Sequence, residues 1–430
     1  MKRFLSILLT LLITLSTFNK FSSFSFASDI KPSIQAENAI LMDFDSGEVL
    51  FNKNGDSKIF PASTTKAWTA YLVLKHTSDL NEVITIDAVP QIEGASMYLK
   101  SKESFTVKEL LESLLVHSSN DVAVVLAAFV SGSIEDFIKL MNEEASAIGA
   151  KNTHFTNPHG LPDENHYTTA YDMALMGREA MGNKTFREMV KLESVSYEST
   201  EAYPYERYFQ NTNKFLYSKQ KIDYEGQSID IKYDIVDGIK TGYTDDAGKC
   251  LLSSGVKDDF RLISAVFKSQ GNEVFTDSRA LLDYGFDNFK SETIINKNEF
   301  IKTEQIYFSK EKELSFSPKS NYSVTTSVDG LTSKYTSEYK LNELDLPIKK
   351  GDTVGKLDIY NDNKLVKTID LIANNNVNSS FSSLFINAIK LLFILMTLII
   401  IIYVILIIRK KRRLKNIPKP IFSNKKRRRY

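Results

Sequence analysis

Apolar and polar residues alternate or cluster along this chain in patterns that assign most of it to short strands and buried helices. Ala39–Asp43 and Glu48–Asn52 flank Asp45-Ser46-Gly47, which predicts a hairpin. Thr64–His76 (TTKAWTAYLVLKH) is apolar on most faces, so a helix there would be buried all round. Val107–Val116 sets Leu110, Leu111, Leu114 and Leu115 on one side of a helix. After the polar His117-Ser118-Ser119-Asn120, a second apolar helix resumes over Asp121–Phe129. Ser133–Ala147 is amphipathic and stops at Gly149, and the long polar segment Lys151–Tyr167 follows. Thr169 with Asp172 three residues on predicts the next helix start. Val236–Tyr243, Lys249–Val256 and Phe260–Phe267 then predict three successive strands, turning at Thr244–Gly248 and Lys257-Asp258-Asp259. Leu281–Phe286 closes this first domain. From Lys290 to Leu371 the pattern becomes short and alternating, ending in Lys356–Tyr360 and Lys364–Leu371 around Asn361-Asp362-Asn363, which predicts a small β-rich domain.

The two ends differ from this body. Met1-Lys2-Arg3 followed by the apolar Phe4–Leu15 predicts a signal peptide over 1–27, with Ser25-Phe26-Ala27 as a small-x-small cleavage site. Leu391–Ile408 is eighteen residues without a charge, and Phe385–Ile389 extends it, with Lys390 able to snorkel. That length spans a bilayer. The polybasic Arg409–Arg413 behind it predicts a cytoplasmic C-terminus and an extracellular body. The expected organisation is therefore a signal peptide over 1–27, a first domain over 28–288 and a β-rich domain over 289–372. An Asn/Ser-rich linker over 373–384, a transmembrane helix over 385–408 and a basic tail over 409–430 complete it.

Charge sharpens this picture. The formal net charge of +1 conceals twelve Lys/Arg and no acid in 409–430. Set aside that tail, the three basic residues of 1–27 and Lys390, and residues 28–389 carry 38 basic against 53 acidic side chains, near −15. An acidic body argues against nucleic acid as a partner. Cys250 is alone, so no intrachain disulfide can form, and a lone cysteine fits a small buried apolar position.

Candidate chemistry begins at Pro61-Ala62-Ser63-Thr64-Thr65-Lys66. A hydroxyl and an ammonium three residues apart at the start of a helix share one face. Ser63 would sit where backbone N–H groups and the positive end of the dipole favour developing negative charge. Lys66 one turn later can take its proton if burial or a neighbouring cation keeps the amine neutral. The spacing alone is not specific, since Ser218…Lys221, Ser254…Lys257 and Ser309…Lys312 share it. Ser118 and Asn120 have two readings, as caps of the following helix or as groups facing the cleft of Ser63. Lys240-Thr241-Gly242 is either an edge strand guarded by a lysine or an edge that receives a ligand by strand addition. In the second case Gly242 would let the ligand backbone come close. His154, His159 and His166 raise a zinc site, but their spacings of five and seven match no helical ligand pair, so hydrogen-bonding roles are expected and no metal or other cofactor.

Taken in order, Ser63-x-x-Lys66, Ser118-x-Asn120 and Lys240-Thr241-Gly242 resemble the three-part signature of the serine penicillin-recognising enzymes. Within them the chain resembles the low-molecular-mass penicillin-binding proteins that are D-alanyl-D-alanine carboxypeptidases. PASTTK, SSNDVAVVLA, FTNPHGLPDENHYTTAYDMA, VDGIKTGYTDDAGKCL and PIKKGDTVGKL carry the resemblance over most of 30–372. It implies an α/β (α+β) β-lactamase/transpeptidase-like domain with a central antiparallel sheet flanked by helices, then a small all-β domain and the C-terminal helix. It implies as substrate a peptidoglycan stem peptide, whose penultimate D-alanine carbonyl Ser63 would attack, and β-lactams as covalent inhibitors. Lys66 would be the general base, Ser118 would relay the proton, and Asn120 would hold Lys66 and the substrate amide. Lys240 and Thr241 would bind the terminal carboxylate, and the backbone N–H groups of Ser63 and Tyr243 would form the oxyanion hole. One departure stands out: Phe267–Ser278 lacks the arginine with which many relatives bind that carboxylate, leaving Lys240, Thr241 or Lys268 for the task, with Arg279 beyond. Two rivals on the same fold are a class A-like β-lactamase and a non-catalytic wall-binding or signalling ectodomain. The first would carry Glu-x-x-Leu-Asn, where this loop offers only Glu164 without the pattern. The second would need no nucleophile.

Overall fold

The computed structural model describes residues 31–330 and 333–415. The expected signal peptide and residues 416–430 of the basic tail lie outside the described residues. The described residues fall into two compact units, one running to Glu292 with a return over 323–330, the other holding 293–322 and 333–415.

In the first unit, β1 (Asn38–Asp43) and β2 (Val49–Lys53) form the expected hairpin. The first helices are α1 (Thr65–His76), α2 (Val107–Val116), α3 (Asn120–Ser131) and α4 (Ile134–Ala147). α5 (Ala170–Gly182) and α6 (Lys184–Val190) follow. Strands β3 (Val236–Thr244), β4 (Gly248–Lys257) and β5 (Phe260–Ser269) lead into α7 (Glu273–Asn288). The five strands make one antiparallel sheet in the order β2-β1-β5-β4-β3, so β3 is an edge. Both faces of the sheet are covered, which is why β1 reads NAILMD and is buried at every position. Ile40 and Met42 join Ile263 and Ala265 under the cluster that holds α1 to α6. Ala39 and Leu41 join Leu262 and Val266 in a second cluster with Val274, Leu281 and Leu282 of α7.

α1 is the centre of the larger cluster. Thr65 through Val73 are all buried, and the Trp68 indole N–H donates to the Met141 carbonyl on α4 at 3.1 Å. Capping fixes the helix starts that position the site. Thr106 and Glu109 cap α2 reciprocally, while the Thr169 hydroxyl accepts from the Asp172 N–H at 3.0 Å.

Two stretches pack otherwise than composition alone suggests. The contacts of the first unit do not stop at 288, because residues 323–330 cluster with it. Asp43 is buried at the end of β1 and needs donors. It takes them from the Ser46 N–H at 2.9 Å and from the Thr325 hydroxyl at 2.7 Å. Nor do residues 373–384 form a free linker. Val377 is fully buried and pairs with Ile348, the Asn375 side chain accepts from the Ser315 N–H at 2.7 Å, and the helix has begun by Phe381. Asparagines read as linker composition serve here to cap the open ends of strands.

The second unit is built on a five-stranded antiparallel sheet. Its strands are β6 (Lys302–Gln305), β7 (Glu313–Pro318), β8 (Tyr335–Leu341), β9 (Thr353–Asn361) and β10 (Lys364–Ala373), in the order β6-β7-β10-β9-β8. Leu314, Phe316, Leu357, Ile359 and Leu371 form its core. α8 (Phe381–Lys415) ends the described chain, and Phe385–Lys411 within it is long and apolar enough to cross a membrane.

Candidate active site

Ser63 lies on a single 3-10 turn, Ala62–Thr64, that feeds directly into α1. Ala62 before it has φ +48°, a strained conformation for a residue with a Cβ. The Lys66 Nζ stands 2.9 Å from Ser63 Oγ and donates to the His159 carbonyl at 2.7 Å. Lys66 is completely buried. Burial holds its pKa well below the ordinary lysine range, the nearby Lys240 charge lowers it further, and Asp121 partly opposes both. A neutral amine can then accept the Ser63 proton across the same short distance.

The loop that presents the His159 carbonyl is tied by Asn157, whose Oδ1 accepts from the N–H groups of His159 (3.2 Å) and Gly160 (2.6 Å). Gly160 has φ +85°, and a Cβ there would lie 1.8 Å from the Ala62 carbonyl oxygen. Only glycine lets the loop close on the turn that carries Ser63. The histidines are hydrogen-bonding elements of this loop. His166 meets the Thr65 hydroxyl at 3.1 Å through Nε2 and accepts from the Thr156 N–H at 3.1 Å through Nδ1. The His154 Nδ1 bonds the Asn165 carbonyl at 2.7 Å. Burial lowers His159 to about 3 and His166 to about 4, so both are neutral at ordinary pH.

Ser118, between α2 and α3, has φ +71°, and its buried Oγ has no hydrogen-bond partner among the described residues. A buried hydroxyl with no protein partner in a strained backbone position is costly, and this one faces the cleft of Ser63. Asn120 opens α3 and sends its amide to the Glu93 carbonyl at 2.5 Å. The hydrogen bonds of Lys66 run to Ser63 and the His159 carbonyl, while Asn120 pins the segment at Glu93–Ala95. Beneath it the buried Asp121 accepts from Ser96 Oγ at 2.7 Å and from the Met97 N–H at 3.0 Å.

Lys240, Thr241 and Gly242 lie on β3, the sheet edge that packs on Ala62–Thr64. Lys240 is almost fully buried, and burial lowers its pKa to about 7. Its Nζ reaches the Thr212 hydroxyl and the Thr241 carbonyl, each at 3.3 Å, and the Thr241 hydroxyl donates to Thr212 Oγ1 at 2.6 Å. Gly242 has a use beyond the one expected. A Cβ there would stand 3.0 Å from the Ser63 backbone nitrogen and 3.1 Å from the Ala62 Cβ, so its first role is to let the strand approach the serine itself. The Tyr243 side chain is exposed, with its hydroxyl on Asp245 at 2.8 Å and the Lys249 ammonium 4.1 Å from its ring.

Ser63, Ser118, Asn120, Thr241, Gly242 and Tyr243 line one cleft of about 360 Å³. Lys240 sits behind Thr241 and Lys66 behind Ser63. Thr212, Lys214 and Lys249 also line it, and the sequence offered no signal for them. Lys268 does not serve the cleft, since its ammonium pairs with Glu37 at 3.2 Å. Arg279 is likewise elsewhere, beside Asp283 at 3.6 Å and the Tyr233 ring at 4.1 Å. Cys250 is a buried wall residue whose thiol burial pushes up to about 12, far from a nucleophile at neutral pH. Of the other Ser-x-x-Lys spacings, Ser254 Oγ is engaged by Arg261 at 2.5 Å, and Ser309 is fully buried in the second unit.

The Lys66–Lys240 pairing has a testable sign. Removing a positive neighbour makes protonated Lys66 less unfavourable, so its pKa rises. Lys240→Met is expected to move the rising limb of acylation rate against pH toward higher pH, measured with a chromogenic cephalosporin.

Comparisons with known proteins place the chain among characterised relatives. A family model described as D-alanyl-D-alanine carboxypeptidase matches residues 26–271, and one described as penicillin-binding protein 5, C-terminal domain, matches 289–379. The chain is 32% identical over 358 residues to the D-alanyl-D-alanine carboxypeptidase DacF of Bacillus subtilis, covering 80% of this chain and 87% of that one. It is 33% identical over 361 residues to DacC of Escherichia coli, covering 80% and 85%. Among solved structures, penicillin binding protein 5 from Haemophilus influenzae superposes with a TM-score of 0.60 at 28% identity, covering 81% of this chain and 99% of that one.

Proposed function

This chain belongs to the D-alanyl-D-alanine carboxypeptidase family of serine peptidases, and from that premise we propose how its own residues carry the reaction on peptidoglycan stem peptides. Ser63 Oγ attacks the carbonyl of the penultimate D-alanine while Lys66 accepts its proton. Ser118 passes that proton to the nitrogen of the leaving D-alanine. The backbone N–H groups of Ser63 and Tyr243 receive the oxyanion, an arrangement worth several kcal/mol in the transition state. Lys240 and Thr241 take the terminal carboxylate, whose charge favours the protonated form of Lys240. Lys214 and Lys249 on the cleft wall add positive charge for the same carboxylate. Asn120 fixes the Glu93–Ala95 wall against which the stem peptide lies.

The observation that carries this reading is the buried Lys66 amine 2.9 Å from Ser63, in a cleft that also holds an unpartnered Ser118 hydroxyl. β-Lactams enter as substrates that acylate Ser63 and leave slowly. No carboxylate lines the cleft among the described residues, and Glu164 is exposed outside it, so nothing there activates water as a β-lactamase glutamate would. The apolar helix over Phe385–Lys411 supports a membrane tether with the enzyme body outside the cell.

One experiment tests both parts. A protein ending at residue 384 is expected to be soluble, to release D-alanine from a stem pentapeptide, and to hold bound fluorescent penicillin through many minutes. Rapid penicillin turnover without D-alanine release would instead favour the β-lactamase reading.

A further inference from the structure

The second unit carries a turn whose apex neither the reaction nor its own core uses. Residues 306–312 (IYFSKEK) join β6 to β7. Tyr307 and Phe308 at its apex are 77% and 54% exposed, and Phe308 is held at φ +61°, an unfavourable backbone for an aromatic residue. Two adjacent exposed aromatics in a strained turn call for a partner surface.

The hydrogen bonds of the turn indicate which one. The Phe308 carbonyl accepts from both the backbone N–H of Ser380 (3.0 Å) and its hydroxyl (2.7 Å). The Lys310 N–H donates to the Asn378 carbonyl at 2.8 Å, and Ser309 bridges Ser379. Glu311, the one acid of the turn, is turned back onto Asn378, accepting from its N–H at 2.6 Å and its amide at 3.0 Å. Ser309 is fully buried, and its hydroxyl lies 2.6 Å from the carbonyl oxygens of both Ile306 and Glu311, either of which can accept its proton. The turn is therefore clamped to the three residues that precede α8, which starts at Phe381.

That position fixes a depth. The apolar span begins at Phe385, five residues beyond Ser380. At 1.5 Å per helical residue this is roughly 7 Å, about the thickness of one headgroup layer outside the hydrocarbon. Aromatic side chains concentrate at that level, where an apolar ring and a polar tip are both accommodated. Lys310 and Lys312 are exposed on the same turn and complement lipid phosphates.

We propose that the 306–312 turn is a membrane-interface anchor, with Tyr307 and Phe308 seated in the headgroup region beside the entry of α8. The proposal rests on the tether reading above. It gives the second unit two attachments to the bilayer, one spanning and one interfacial, so that this end of the unit cannot pivot freely about the helix.

The test uses the full chain in vesicles of phosphatidylglycerol and phosphatidylethanolamine. The single native tryptophan, Trp68, is 1% exposed and supplies a constant background. Tyr307→Trp is expected to add blue-shifted emission that shallow-brominated lipids quench strongly and aqueous iodide hardly at all. Leu365→Trp, at the half-exposed tip of the β9–β10 hairpin, is expected to behave oppositely. Suppose the Tyr307→Trp chain floats with the vesicles and resists carbonate extraction, yet its added emission is quenched by iodide alone. That result overturns the anchor and leaves the tether standing. Equal lipid quenching in the two variants overturns the anchor as well. A chain that does not float overturns the tether and the anchor together.

Discussion

Ser63→Ala is expected to lose covalent penicillin labelling entirely and to lower D-alanine release by about a million-fold, the scale on which removing a peptidase nucleophile acts. The substitution removes one oxygen from a half-buried position, so the thermal midpoint should hardly move. Lys66→Met separates the base from the nucleophile. Methionine fills the same fully buried space without an amine, and the expected loss in acylation rate is about 10² to 10⁴-fold with the serine still present. Raising the pH should restore activity in neither variant. In the parent enzyme the rate should rise with pH as the amine sheds its proton. Stopped-flow acylation of both variants checks the pair; full labelling of the alanine variant would assign the nucleophile elsewhere.

Gly160→Ala should do comparable damage without touching a reacting atom. The new Cβ would stand 1.8 Å from the Ala62 carbonyl oxygen, and the residue would keep a φ of +85°. Left-handed strain costs about 1 kcal/mol and forced overpacking about 1–3 more, so a stability loss of ~2–4 kcal/mol is expected. The structure relieves the overlap by moving the loop, the Ala62 turn, or both. Either movement separates the His159 carbonyl from Lys66 and tilts Ser63. Chemical denaturation and penicillin labelling, measured together, should show activity falling further than the folded fraction.

Much of this site is visible in the chain because its parts are local. Ser63 and Lys66 face each other through helix spacing alone, and the three strands from Val236 to Ser269 alternate or run apolar as their burial demands. The carrier of Lys66 could be read as a helix apolar on most faces, which told of burial and so of a displaced pKa. What stayed hidden is tertiary. Thr212 and Lys214 reach the cleft from a segment between short strands, with nothing in their neighbours to distinguish them. His159 acts through its carbonyl, which every residue possesses, and only Asn157 and Gly160 around it hint at a shaped loop. α7 escaped notice because its apolar residues are interleaved with acids, although Val274, Leu281 and Leu282 pack in the cluster on one sheet face. Composition cannot tell a solvated asparagine from one that closes a strand end, as Asn375 does.

The donation from Thr325 to Asp43 has a bearing on how this molecule can be taken apart. A gene cut after Glu292 would encode every reacting group yet strip a buried carboxylate of one donor, at a cost of about 1–3 kcal/mol. The hydrolase portion is thus not a cassette that recombination can lift out at one junction. A transplant would have to bring along residues 323–330, or restore the missing hydroxyl from its new host.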